Sequence, residues 1–138
     1  MKKIDNFKRC LDVLSGADFK MAVNDEIYRT GVVGQFNLTF ELAWKALKAV
    51  LEENGVVEAE TGSARDIFKL AAKTGMIADS SVWLLMLKKR NLSVHLYNEE
   101  EVDELLILIR DSFLPALHSL EQILTDKEKE IESDSEKL

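Results

Sequence analysis

Two apolar stripes with alternating three- and four-residue steps constrain this chain more than any other feature of its sequence. In the first, Val33, Phe36, Phe40, Ala43, Leu47 and Val50 recur at steps of 3, 4, 3, 4 and 3. In the second, Val102, Leu106, Ile109, Phe113, Ala116, Leu120 and Ile123 alternate steps of 4 and 3. An α-helix turns once in about 3.6 residues, so each series winds a single apolar face along a long helix. Their shared seven-residue period is that of helices packed about 20° apart in a bundle.

The first stripe predicts a helix over about 24–53, closed by Gly55. The second predicts one starting behind Asn98, whose side chain can cap it with Glu101 at the capping-box position. Ile4, Phe7, Leu11 and Leu14 mark a shorter first helix ending near Ser15 and Gly16. Two more short helices fall between the long ones, at about 63–74 and from Ser80 or Ser81 to about Asn91, separated by Gly75. Ser63 with Asp66, and Asp79 or Ser80, are the N-caps this pattern suggests. Pro115, the only proline, lies inside the second stripe, where it removes one backbone hydrogen bond and should kink or break the helix. No segment alternates with period two over a useful length. The expectation is an all-α, antiparallel up-and-down bundle of about five helices over residues 1–124. A charged tail at 125–138 then reads as a fraying helix end or as disorder.

Composition narrows the chemistry. The chain has 138 residues, enough for one domain with a real core, and carries a formal charge of −7. Residues 126–138 hold six acids and three lysines, so a net −3 belongs to the tail and −4 to the body. Such a balance opposes non-specific binding to a polyanion, and nucleic acid would have to be met locally. Lys88-Lys89-Arg90 is the only run of three basic residues, a candidate binding patch or simply a solvated face. The single cysteine, Cys10, excludes an internal disulfide, and Cys and His are too few to close a zinc site, so neither metal nor cofactor is expected. A reducing cytoplasm fits this. Met1-Lys2-Lys3 starts like the basic end of a signal peptide, but charges recur through Lys8 and Arg9 and no apolar core follows. No apolar run approaches the roughly 20 residues of a membrane helix.

The segment Arg90-Asn91-Leu92-Ser93-Val94-His95-Leu96-Tyr97 carries the densest chemistry: a cation that can hold a phosphate, an imidazole that can move a proton, and a phenol that can accept a transferred group. On a helical wheel starting at Val82, Trp83, Met86, Leu87 and Val94 occupy one side, and Leu85, Leu92 and Leu96 another. A helix apolar on two sides has two partners to bury against, which suggests a homodimer interface on this helix. Arg90 falls within the apolar arc. An unpaired charge cannot remain there, so it needs an acidic partner or a wet, phosphate-sized cleft. Asn91 lies four residues before His95 and can orient its ring. His118 reads as an ordinary surface residue, and Trp44 and Trp83 as core or interface aromatics.

Taken together, residues 35–45 (Gln-Phe-Asn-Leu-Thr-Phe-Glu-Leu-Ala-Trp-Lys), Ser63-Ala64-Arg65-Asp66, Val82-Trp83, and Arg90-Asn91 with His95 and Tyr97 resemble the nucleotidyltransferase substrate-binding protein family. That family is related to the HEPN superfamily and to the HepT toxins, and the resemblance spans about residues 4–124. It implies a HEPN-like bundle that dimerises through the motif-bearing helix and pairs with a small, separately encoded minimal nucleotidyltransferase. It further implies a metal-independent ribonuclease site built from Arg90 and His95, with Asn91 supporting His95 and RNA as substrate; Lys88 and Lys89 of the basic run join Asn91 as candidate binding residues. Tyr97 is implied to be the acceptor that the partner enzyme modifies. The alternative is a non-catalytic module that presents a substrate or nucleotide to that enzyme, and a plain structural dimer is a third reading.

Overall fold

A computed structural model of the chain describes residues 1–90 and 98–137, and all regular structure in these is helical. The elements are α1 (Lys2–Ser15), α2 (Phe19–Asn24), α3 (Glu26–Glu53), a 3-10 turn (Val57–Thr61), α4 (Ala64–Lys73), α5 (Ser81–Lys89), α6 (Glu99–Leu108), a π-helical segment (Ile109–Phe113) and α7 (Leu114–Lys137). The fold is the expected all-α bundle, with α3 at its centre against α1, α2, α4 and α7.

Side-chain ties fix the directions. The carbonyl of Cys10 on α1 accepts from Gln35 Nε2 at 3.0 Å and from the Thr39 hydroxyl at 3.2 Å, while the Asp18 N–H reaches the Tyr28 hydroxyl at 2.7 Å. The chain therefore reverses between α1 and α3. It also runs antiparallel to α7, since the Met1 amine pairs with Glu128 and Ser15 Oγ lies 2.8 Å from His118 Nε2. His118 is half exposed, as a surface residue should be, yet it also pins the end of α1.

The N-terminal stripe is buried as predicted: Val33, Phe36, Phe40, Ala43, Leu47 and Val50 are all core, as are Ile4, Phe7, Leu11 and Leu14. Gly55 and Gly75 adopt positive φ, 82° and 78°, and close α3 and α4 in a region that side chains disfavour. Ser63 and Asp66 form a reciprocal capping box at the start of α4. Those hydrogen bonds from Ser63 hold the Asp66 carboxyl below its ordinary range. At α5 the cap is shared differently. Ser80 is the N-cap without a side-chain bond, and the Asp79 carboxylate takes both the N–H and the hydroxyl of Ser81. Asn98 caps α6 by accepting the Glu101 N–H at 2.8 Å.

Two expectations differ from the structure, and two open alternatives are decided by it. First, α2 and the 3-10 turn have no counterpart among the expected helices, because each buries one alanine, Ala22 or Ala59, and so leaves no apolar period. The carbonyls at the end of α2 are bound by Arg29, a buried guanidinium whose Nε donates to Ala22 O at 3.0 Å.

Second, Pro115 does not break its helix. Proline lacks the N–H that would reach Asp111 O, and its ring crowds that carbonyl. The turn before it widens to π geometry, with the Leu114 N–H bonding Ile109 O, and the helix runs on. The widened turn accommodates an extra residue and shifts the apolar face. Leu117 and Leu124 are fully buried where the undisturbed period pointed to Ala116 and Ile123, which are only partly so.

Of the two readings of the segment after residue 124, α7 continues through Lys137 and gives the helix end. Of the two readings open to Trp83, core or interface, the structure gives the core. Trp83 is 3% exposed and stacks on Phe68 within its own bundle, with ring centroids 5.2 Å apart. Val82, Leu84, Leu85 and Leu87 of α5 are partly buried around it.

Five rings form a chain through the core: Phe113 on Phe36 at 5.3 Å, Phe36 to Phe40 at 6.3 Å, Phe40 to Phe68 at 5.6 Å, and Phe68 on Trp83. Phe68 is its link between α3 and α5. Truncating it as Phe68→Ala is expected to destabilise the protein by about 4 kcal/mol, the range for buried phenylalanines. Trimming the exposed Ile27 to alanine should change stability by less than about 0.5 kcal/mol. Urea unfolding followed by tryptophan fluorescence measures both, and a loss below about 1 kcal/mol at Phe68 would contradict the packing role.

Candidate functional site

The site begins where α5 ends. Arg90 is the C-cap of α5, and its backbone N–H donates to Met86 O at 2.8 Å. The helix arrives there by burying Trp83 and Met86 against the core, which leaves its last turn, with Lys88 and Lys89, at the surface edge. Lys88 is exposed and Lys89 partly buried. Both place positive charge beside the negative end of the helix, where cations are favoured.

Of the two escapes open to Arg90, the described residues supply the acidic partner. Its Nη1 lies 3.3 Å from Glu41 Oε2 on α3. The contact is neither buried nor bidentate: the side chains are 30% and 38% exposed, and one guanidinium nitrogen makes it. The other N–H groups of Arg90 have no partner among the described residues. Glu41 is shared, because its second oxygen, Oε1, lies 3.5 Å from Lys45 Nζ, four residues along α3. Two cations from two helices thus converge on one carboxylate.

Glu41 and Lys45 lie within the 35–45 stretch that carries the family resemblance, and neither is among the candidate site residues of the sequence. A signal was present. Glu41 is the only acid of α3 between Glu26 and Glu52, and an arginine in an apolar arc calls for an acid somewhere. On the same face of α3, at steps of 4, 3 and 4, lie Asn37, Glu41, Trp44 and Lys48. Asn37 Oδ1 and Trp44 Nε1 are buried with no hydrogen-bond partner among the described residues.

Asn91, His95 and Tyr97 lie outside the described residues. The structure therefore places three of the six sequence-predicted site residues, Arg90, Lys88 and Lys89, together at the end of α5. Two clefts among the described residues lie elsewhere. One of about 480 Å³ lies between the ends of α3 and α4 and the middle of α7, and one of about 370 Å³ lies between Val13 and Ile27.

Comparison with known proteins bears on what such a site belongs to. The family described as nucleotidyltransferase substrate binding protein like matches residues 2–126. The chain belongs to this family. A protein of Haemophilus influenzae named as a probable ribonuclease HepT is 25% identical over 108 residues, covering 77% of this chain and 74% of that one. The match to the substrate-binding family takes in all the described helices up to the first half of α7, including both halves of the Glu41–Arg90 contact.

A half-exposed ion pair contributes little to folding, since solvent screens it and two long side chains must be ordered. A double-mutant cycle on Glu41→Ala and Arg90→Ala is accordingly expected to give a coupling energy below about 1 kcal/mol in chemical denaturation. A coupling of about 3 kcal/mol or more would show a desolvated structural pair and leave Arg90 little freedom to meet a ligand.

Proposed function

We propose that this protein is the partner subunit of a minimal nucleotidyltransferase and the HEPN toxin-like component of a toxin-antitoxin pair, acting in the cytoplasm as a metal-independent ribonuclease. The observation that carries the reading is Arg90: a cation at a helix end, held by one contact to a half-exposed carboxylate, in a chain of the substrate-binding family with a relative named as a probable ribonuclease HepT. The guanidinium suits a phosphate, because its planar fork can bond two phosphate oxygens at once.

In this reading His95, five residues on, supplies the proton chemistry. An imidazole titrating near neutrality takes the 2′-hydroxyl proton as that oxygen attacks phosphorus, or returns a proton to the departing 5′-oxygen. Arg90 stabilises the negative charge that gathers on the phosphoryl oxygens in between. The bond formed is 2′-O to phosphorus, the bond broken is phosphorus to 5′-O, and the product is a 2′,3′-cyclic phosphate. DNA lacks the attacking group. Asn91 orients the imidazole, and Lys88 and Lys89 attract the strand. The second copy in a homodimer packs on the partly buried leucines of α5, Leu84, Leu85 and Leu87, and brings two such sites face to face.

The purified protein alone is expected to scatter light as a dimer of its 15.6 kDa chain. It should also cut single-stranded RNA in the presence of EDTA. Arg90→Ala and His95→Ala should each lower the cleavage rate by at least about a hundredfold, the usual scale of acid-base and charge stabilisation, with helicity unchanged. Full activity in His95→Ala, or inhibition by EDTA, removes the ribonuclease reading.

Tyr97 is the second testable residue. Nucleotidyl transfer to its phenol by the partner enzyme would set a phosphate beside Arg90 and occupy the place RNA needs. With the neighbouring nucleotidyltransferase, ATP and magnesium, peptide mass spectrometry should find an adenylyl adduct on Tyr97 that is lost in Tyr97→Phe. An unmodified peptide from a demonstrably active transferase favours the second reading, a non-catalytic module that presents substrate or nucleotide to the enzyme. One observation speaks for that reading: Glu41 already gives Arg90 the acidic partner that a purely structural arginine would need.

A further inference from the structure

The described ion pairs are mostly closed, one acid to one base: Lys48 with Glu52, Lys127 with Glu130, and Arg110 with Asp111 through two nitrogens. Glu41 differs. It serves Lys45 through one oxygen and Arg90 through the other, so the cluster carries a net positive charge in a protein whose overall charge is −7. The bridging carboxylate offsets the repulsion between the two cations and holds them side by side, each keeping donors unused among the described residues. Lys45 is half exposed and Arg90 almost a third exposed, so both remain reachable from solvent. Lys88 and Lys89 on the last turn of α5 add positive charge on the Arg90 side.

We propose that Lys45 and Arg90, clamped by Glu41, form a two-cation seat for neighbouring phosphates of single-stranded RNA. This rests on the ribonuclease reading, with Arg90 at the phosphate to be cut and Lys45 on the adjoining one. Lys45 is then a substrate-binding residue that the run Lys88-Lys89-Arg90 does not reveal, because it comes from a different helix. The half-exposed pairs with Glu41 are weak, and a phosphodiester offers each cation a charge-assisted bond in addition to the shared carboxylate. A nucleoside triphosphate presents similar chemistry, so the test must separate the two sources.

The test uses the full chain and a short single-stranded RNA carrying 2′-O-methyl groups throughout, which binds but has no 2′-hydroxyl to attack. Affinity is measured by fluorescence anisotropy over a range of salt concentrations. Each phosphate neutralised on a single strand contributes a slope of about −0.7 in log K against log salt. Lys45→Gln and Arg90→Gln should each reduce the magnitude of the slope by about 0.7. Lys45→Arg should retain it, as should Lys69→Gln on α4. If Lys45→Gln keeps the wild-type slope while Arg90→Gln lowers it, the seat is overturned and the role of Arg90 stands. If neither changes the slope, or the oligonucleotide does not bind whether or not ATP does, the RNA seat and the ribonuclease reading fail together.

Discussion

The chain of aromatic rings from Phe113 through Phe36, Phe40 and Phe68 to Trp83 is the contact on which the placement of everything else depends. It crosses the bundle from the π segment to α5 and takes two of its five rings from α3. A short helix such as α5, nine residues long, has little stability of its own, since helix nucleation is costly and the first turns are not repaid locally. It exists because Trp83 and Met86 are buried. The stack on Phe68 fixes the rotation of α5 about its axis, and that rotation brings Arg90 to Glu41.

The π segment and Pro115 belong to the same arrangement. Phe113, the last residue of the widened turn, is the ring stacked on Phe36 with planes 16° apart. A proline inside a helix removes a hydrogen bond wherever it falls; here the wider turn carries the chain past the missing N–H and keeps both sides of it in the core. Ile109 and Phe113 are buried before the proline, and Leu117, Leu120 and Leu124 after it. One long helix thereby packs along α1 and α3 even though its apolar period changes register midway.

The sequence made the helices legible wherever burial was periodic. Stripes such as Ile4, Phe7, Leu11, Leu14 or Phe36, Phe40, Ala43, Leu47 repeat often enough to define both an element and its inward face. Six residues burying only Ala22 do not, and α2 was invisible for that reason. The register past Pro115 was misread because a uniform period was carried through a residue that alters the turn. At the site, the wheel correctly set Arg90 against an apolar arc and required an acid or a wet cleft. It could not say which acid, because Glu41 is 49 residues away and the contact depends on how α5 crosses α3. The same limit hid Lys45: a charge cluster assembled from two helices has no signature in the linear spacing of either.

The Glu41–Arg90 contact meets the structural demand on a cation at the core edge without using that cation up. A buried, bidentate pair would have immobilised the guanidinium and made its removal severely destabilising. One 3.3 Å bond between groups about a third exposed does neither. It restrains the direction of the side chain and leaves its remaining donors free of the described residues. Sharing Glu41 with Lys45 carries this further, since one negative charge cannot neutralise two positive ones and the local excess is available to an anion. In a protein with an overall charge of −7, such a local excess is where an anion would be met, because the net charge of the whole molecule repels it.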